Sequence, residues 1–441
     1  MKVAFFGVGA VCSVISTLLC EQSSKNLKNC IEFLFVVRDE KKAKSHFYKN
    51  SQLLETSKFL EVSSFEEIFQ NPKKYENELK DFDVFINSST PSYNIEIMKL
   101  ALYFNSNYVD LASDIYKHEI ISSLKFDQQS LEEEFKKKNL FALINLWVSP
   151  GITNFLVGER IHSLQNLPYE VKITKLDLNL FEEIQSKKLI FSWSPKVTID
   201  ELAFSPIFFR KNSPKIIEPF SKSKLYKFPY FKNIVEVYPV FQEEIISLKQ
   251  SFPEIENIRL NIGGNELELM KNLYQLNLFS NRYCFENQNE KISINSIIKN
   301  ILPKMKSPEI IEDYIKRKTI KYAEFSAIAD IYLEISYPQN KKKIKSVESI
   351  GISFSKYKEL LKTPYSGATY VSYPTGISAG ILIYYSLLQR EFLSGVILSE
   401  NLPKLFGNSI NDIIKRELSS YKINIYNVTQ LSQIKPNCFL V

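Results

Sequence analysis

Six short apolar runs, each followed by a helical or polar stretch, occupy the first 145 residues and decide what this chain can fold into. They are residues 2–6, 31–37, 59–62, 83–87, 108–111 and 141–145. None alternates enough to be half exposed, so each reads as a strand buried on both faces, as in a parallel sheet. Such regular alternation predicts an α/β doubly wound sheet, whose ligands sit beyond the carboxyl ends of the strands where the winding reverses. The loops after the first, second and fourth strands are where a site is expected.

After the first strand comes Gly7-Val8-Gly9, then a run of small and apolar residues at helical spacing from Ala10 to Cys20. Gly7 suits a tight turn, and Gly9 lets backbone approach a diphosphate. Ala10 and Val11 open a helix whose first N–H groups and positive dipole end favour an anion. Cys12 stands where the dinucleotide fingerprint has its third small residue, so the fingerprint is incomplete. The pattern implies a Rossmann nicotinamide-dinucleotide domain; a bare structural turn is the alternative. At the end of the second strand Val37 takes the usual acidic position and Arg38 follows, with Lys41 and Lys42 nearby. A guanidinium there pairs with a 2′-phosphate, favouring NADP with NAD possible, unless Arg38 is only a surface charge. Ser63, past the third strand, joins the cofactor-facing set. After the fourth strand comes Asn87-Ser88-Ser89-Thr90-Pro91. Thr90 as N-cap and Pro91 at the first helical position start a helix with Ile95, Met98 and Leu102 inward, and Ser88, Ser89, Thr90 and Pro91 are placed against the cofactor.

At 441 residues the chain exceeds what one core comfortably fills, so a second domain is expected. Pro150-Gly151-Ile152-Thr153-Asn154 opens a helix at the sheet's carboxyl edge, a natural receiver for a substrate carboxylate. Residues 172–181 and 327–336 read as strands of a mixed or mostly antiparallel sheet. The 56 basic and 49 acidic side chains are spread evenly, which argues against nucleic acid as partner, and the basic run 341–345 reads as a solvated loop. Five cysteines without CxxC spacing and three dispersed histidines suggest neither a disulfide framework nor a metal site. The longest apolar stretch is too short to span a bilayer, and the chain opens on a strand, so a cytoplasmic protein without membrane association is expected.

The order of further motifs carries a resemblance. Asn87 to Pro91, Tyr108-Val109-Asp110, Pro150 to Asn154, Phe191-Ser192-Trp193-Ser194-Pro195, Ile199-Asp200-Glu201 with Pro206, Tyr373-Pro374-Thr375-Gly376 and Ser394-Gly395-Val396 follow one another along nearly the whole chain. In that order they resemble the saccharopine dehydrogenase family, including its lysine 6-dehydrogenase and carboxynorspermidine dehydrogenase relatives. Departures from the family pattern are Trp147 for a usual glycine, Ser149 for the residue before Pro-Gly, and Lys196 for an arginine. They bear on the substrate more than on the fold.

The resemblance implies a Rossmann domain over 1–140 completed by 372–441, the helix 375–389 making the return. It implies an α+β substrate-binding and dimerisation domain over 141–371. It implies an NADP-dependent oxidoreductase that reduces the imine of an amino acid and a semialdehyde, or runs the reverse. A polyamine-forming or lysine-deaminating relative is the rival enzyme, and a non-catalytic dinucleotide binder the rival outside enzymes. Asp110 is then the acid/base or amine-binding group, or merely a carboxylate capping its strand. Ser149, Thr153, Asn154, Trp193, Ser194 and Lys196 face a small amino-acid substrate, Trp193 being otherwise a core aromatic. A homodimer is the expected assembly.

Overall fold

The computed structural model describes residues 1–26, 31–114, 123–191, 194–229, 231–279, 284–287, 290–337 and 340–431. The six apolar runs are strands β1 (Lys2–Phe6), β2 (Glu32–Val37), β3 (Ser57–Glu61), β4 (Val84–Asn87), β5 (Asn107–Asp110) and β6 (Phe141–Ile144). All pair in parallel in the order β3-β2-β1-β4-β5-β6. Helices on both faces explain the unbroken hydrophobicity: Val3 to Phe6, Val84 to Ile86 and Phe141 to Ile144 are essentially inaccessible. The winding reverses between β1 and β4, so the carboxyl ends of these two strands flank the crevice.

A second layer begins after the helix Ile152–Gln165. Its strands are β7 (Glu170–Ser186), β8 (Ile207–Arg210), β9 (Ser213–Ile216), β10 (Lys224–Tyr226), β11 (Val235–Pro239) and β12 (Ile258–Gly263). A separate hairpin, β13 (Cys284–Asn287) and β14 (Glu290–Ser293), precedes the long pair β15 (Ile320–Tyr337) and β16 (Asn340–Phe354). The main run is β10-β11-β12-β7-β15-β16, antiparallel except for β12 beside β7. Alternating segments such as residues 176–181 and 328–335 place one face of β7 and β15 on the core, as period-two patterning requires. The lysines at 341–345 belong to β16, not to a loop; the described ones are exposed, where a charged strand resists edge-on association.

The chain then returns to the first layer. The Ser372–Leu388 helix is buried on nearly every side, and it lies so close to the Ala10–Asn26 helix that a Cβ on Gly376 would meet Val14 at 2.5 Å and one on Gly380 would meet Leu18 at 2.5 Å. Strand β17 (Gly395–Leu398) adds to the parallel sheet beside β6. Two boundaries therefore move from the sequence expectation. A division at residue 140 would cut off β6, which is an interior strand of the parallel sheet, and β18 (Asn424–Leu431) crosses over to pair with β16 in the second sheet. Among the described residues no helix is long and apolar enough to cross a membrane.

Candidate active site

Backbone hydrogen bonds at the switch point fix two loops side by side. Gly7 N–H donates to Val36 O at 2.9 Å, and Ser88 N–H donates to Phe6 O at 3.1 Å, so the glycine turn and the 88–91 loop leave the sheet together. Gly7 has φ +91°, and a Cβ there would sit 2.8 Å from Ser89 Cβ, so only glycine fits between the loops. Gly9 differs: a Cβ built on it meets nothing within 4 Å and points into open space. That space adjoins the start of the Ala10–Asn26 helix, where Ser13 N–H, bonded to Gly9 O, is the first donor satisfied within the helix. The N–H groups of Ala10, Val11 and Cys12 therefore lack intrahelical partners, a donor set suited to a diphosphate. The fit is good: the cradle is open and its only thiol is neutral. Burial pushes the Cys12 thiol up to about 12, and the buried residue serves as a small apolar filler at the third fingerprint position.

The 88–91 loop is organised by Asn87, which opens the motif but was not among the residues expected to face the cofactor. Asn87 Oδ1 accepts from Ser89 N–H at 3.0 Å and from Ser89 Oγ at 2.6 Å, while its Nδ2 donates to Thr90 O at 3.0 Å and Asn94 Oδ1 at 2.7 Å. Ser88 Oγ donates to Gly7 O at 2.7 Å, tying the two loops. Thr90 has the extended backbone of an N-cap, but its hydroxyl pairs with Ser92 Oγ and caps nothing; a 3₁₀ turn, Pro91–Tyr93, intervenes before the Asn94–Tyr103 helix. In that helix Met98 and Leu102 are buried as expected, whereas Ile97 rather than Ile95 completes the inner face.

These loops form one side of a cavity of about 460 Å³ between the layers. Gly9, Ala10, Val11, Ser88, Ser89, Thr90 and Pro91 line it, together with Ser149 and Ser194 from the expected substrate set. Arg38 and Ser63 lie outside it on the exposed rim past β2 and β3, Ser63 paired with Glu67. Asp39, the first acidic residue after the carboxyl end of β2, spends its carboxylate on Lys42 N–H at 2.8 Å, capping the next helix.

Several expected side chains point elsewhere. Asp110 is 1% exposed and does not line the cavity; its oxygens accept from Asn145 N–H at 2.8 Å and Gln128 Nε2 at 3.2 Å. Burial raises its carboxyl to about 7 against those hydrogen bonds. It holds the ends of β5 and β6 together, a positioning role in place of the expected catalytic one. Thr153 and Asn154 are both inaccessible: Thr153 Oγ1 donates to Val148 O at 3.0 Å, and Asn154 Nδ2 to Ser247 Oγ at 3.0 Å. The helix start they were expected to offer to a carboxylate is packed into the junction of the layers. Lys196 is exposed and does not line the cavity, although Ser194 and Val197 beside it do, and Trp193 lies outside the described residues.

Another part of the lining is acidic. Asp114 beyond β5, Glu201 on the Pro195–Ala203 helix and Glu243 at the first turn of the Glu243–Ser251 helix line it, and Gln242 bonds Glu201. Burial raises Glu201 well above the ordinary range, and the neighbouring Glu243 charge raises it further. Burial brings Glu243 to about 7 although Ser113 N–H donates to it at 3.3 Å. Among the described residues no lysine, arginine or histidine lines this cavity. Glu201 lay in a segment read for its order alone, and a Gln-Glu-Glu helix start after a strand was the only sign of Glu243.

A two-layer chain of this kind, a seven-stranded parallel sheet with a mixed second sheet and a cavity at the switch point, has a saccharopine dehydrogenase-like fold. It superposes on apo saccharopine dehydrogenase (L-Glu forming) from Saccharomyces cerevisiae with a TM-score of 0.63, at 13% identity over 97% of this chain and 99% of that one. A myo-inositol dehydrogenase from Corynebacterium glutamicum (TM-score 0.37, 8% identity, 97% and 99% covered) and biliverdin reductase from Synechocystis (0.32, 8%, 94% and 98%) align far more loosely and add nothing to the assignment. No family model and no curated protein sequence matches the chain.

Proposed function

We propose that this chain is an NADP-dependent oxidoreductase of C–N bonds, reducing an imine formed from an amine and a carbonyl compound, or running the reverse. The observation that carries the reading is one cavity lined both by the glycine turn and the 88–91 loop and by three carboxylates. The shared fold with a saccharopine dehydrogenase supports it. When bound, NADPH supplies a hydride. The carbon of the protonated C=N gains it, the π pair moves to the nitrogen that already carries its proton, and a neutral secondary amine results. The chain's contribution is placement: Ala10 to Cys12 N–H groups hold the diphosphate, and the Asn87-built loop sets the distance between cofactor and imine. The carboxylates favour the protonated, electrophilic imine over its neutral form.

Preference for the phosphorylated cofactor is assigned to Arg38, which is exposed beside Glu66 and Tyr93 with Asp39 turned away. Arg38→Ala is expected to weaken NADPH binding by roughly 10- to 100-fold while moving NADH by less than about 3-fold, since a charged bidentate contact is worth on the order of 1.5–3 kcal/mol. Fluorescence titration of both nucleotides measures it, and equal losses for the two would withdraw the NADP assignment. Turnover is tested by the fall in reduced-cofactor absorbance on mixing amines with aldehydes. If NADPH binds and no pair consumes it, the catalytic reading fails.

A further inference from the structure

We infer that the substrate held in this cavity is an aliphatic cationic amine carrying no free carboxylate, and that Glu201, Glu243 and Asp114 are the residues that select it; this rests on the C–N oxidoreductase reading above. The fold likeness alone would suggest an amino-acid substrate, whose carboxylates need a cation to meet them, yet the described cavity wall offers three carboxylates and no basic side chain. The carboxylates come from three separate elements, the segment after β5 and two helices of the second layer, so their convergence is not the solvated face of one helix. Glu201 is only 4% exposed, and it lies near enough to Glu243 to feel its charge. Buried like charges are costly to hold together without a counter-charge, and a bound ammonium or protonated imine supplies one.

A second observation points to a ligand in the same place. Ser149, 4% exposed, lines the cavity beside the buried Glu244 carboxyl with its hydroxyl outside strict hydrogen-bonding geometry, and the buried Oε1 atom of the half-buried Gln242, beside Glu201, is also unmatched. Buried polar atoms of a native fold are normally satisfied, so these two are available to an N–H donor. Trp147, Val197, Met305 and Val371 add apolar surface to the same lining, suited to a methylene chain.

The test is calorimetric titration of the NADPH-saturated protein with 1,5-diaminopentane and, separately, with L-glutamate. The diamine is expected to bind at least 10-fold more tightly. Glu201→Gln and Glu243→Gln are each expected to weaken it at least 10-fold while NADPH affinity stays within about 3-fold, which also reports that the variants are folded. Glutamate binding as well as or better than the diamine would overturn the inference, as would diamine affinity indifferent to both substitutions. The diamine titration is repeated without nucleotide, because the acidic wall belongs to the chain itself. Failure of NADPH to bind, with diamine selectivity intact, would count against the oxidoreductase reading and leave the amine site standing.

Discussion

Gly9→Val is expected to raise the dissociation constant for NADPH by 100-fold or more while shifting the melting temperature by no more than about 2 °C. The two halves of that outcome have separate causes. A Cβ at Gly9 meets no protein atom within 4 Å and the backbone there has no positive φ, so the fold loses nothing by accepting a side chain. The volume that the isopropyl group would fill is the space in front of the Ala10–Cys12 N–H groups, where a diphosphate must approach to be held by backbone alone. A 100-fold loss corresponds to roughly 2.7 kcal/mol, about what displacing one or two charge-assisted hydrogen bonds costs. Gly7 makes the contrast: at φ +91° and with Ser89 Cβ 2.8 Å away, any side chain there strains the turn itself. Fluorescence titration and a thermal scan of the same Gly9 sample decide the matter, and unchanged NADPH affinity would move the dinucleotide out of the glycine turn.

Stability should fall as pH rises from about 5 to 8. Burial holds Asp110 at about 7, Glu243 at about 7 and Glu244 at about 8, each above its ordinary value. In the unfolded chain these groups ionise near pH 4, so between pH 4 and 8 the folded state binds more protons and loses stability with each step upward. At about 1.4 kcal/mol per unit, Asp110 alone contributes roughly 4 kcal/mol across that window. The coupled Glu243 and Glu244 add to the same slope. His46, lowered by burial and then by the Lys42 charge, works in the opposite sense over the lower part of the window, but further carboxyls raised by burial, Glu201, Glu324 and Glu400 among them, outnumber it. Glu312, held at about 2 although burial opposes it, by its bonds to Lys316, Ser366 and Tyr48, acts only below the window. Scanning calorimetry of the ligand-free protein should show the melting temperature falling by about 5 °C between pH 5.5 and 8, and Asp110→Asn should flatten the profile. A flat or rising profile in the unsubstituted protein would mean that these carboxyls ionise normally.

Strands β1 to β6 were legible because a parallel sheet covered on both faces demands continuous apolar runs, and residues 2–6 or 141–144 have no other plausible home. The glycine turn was legible because Gly7 and Gly9 sit between such a strand and a helix. The acidic wall was not. Asp114, Glu201 and Glu243 are far apart in the chain, and a glutamate on a helix reads as surface until the layers close over it. Asp110 misled for a related reason: ending a strand at the sheet's carboxyl edge suggested chemistry, but its carboxylate turns to the backbone of Asn145 and the side chain of Gln128. Thr153 and Asn154 misled because a helix start at the sheet edge attracts anions only when its first turn faces open space, and here it is packed against Ser247 and the backbone of Val148. The crossing of β18 into the second sheet left no trace in sequence beyond an ordinary alternating strand.

The central claim is that the reacting ends of a dinucleotide and an amine meet between the Asn87-built loop and the Glu201–Glu243 wall. A crystal structure grown with NADPH and 1,5-diaminopentane tests it most directly. The predicted result is a diphosphate on the N–H groups of Ala10 to Cys12, an adenosine phosphate at Arg38, and an ammonium against Glu201 or Glu243. A nucleotide bound elsewhere, or a cavity closed by the chain's own side chains with no density for either molecule, would contradict it.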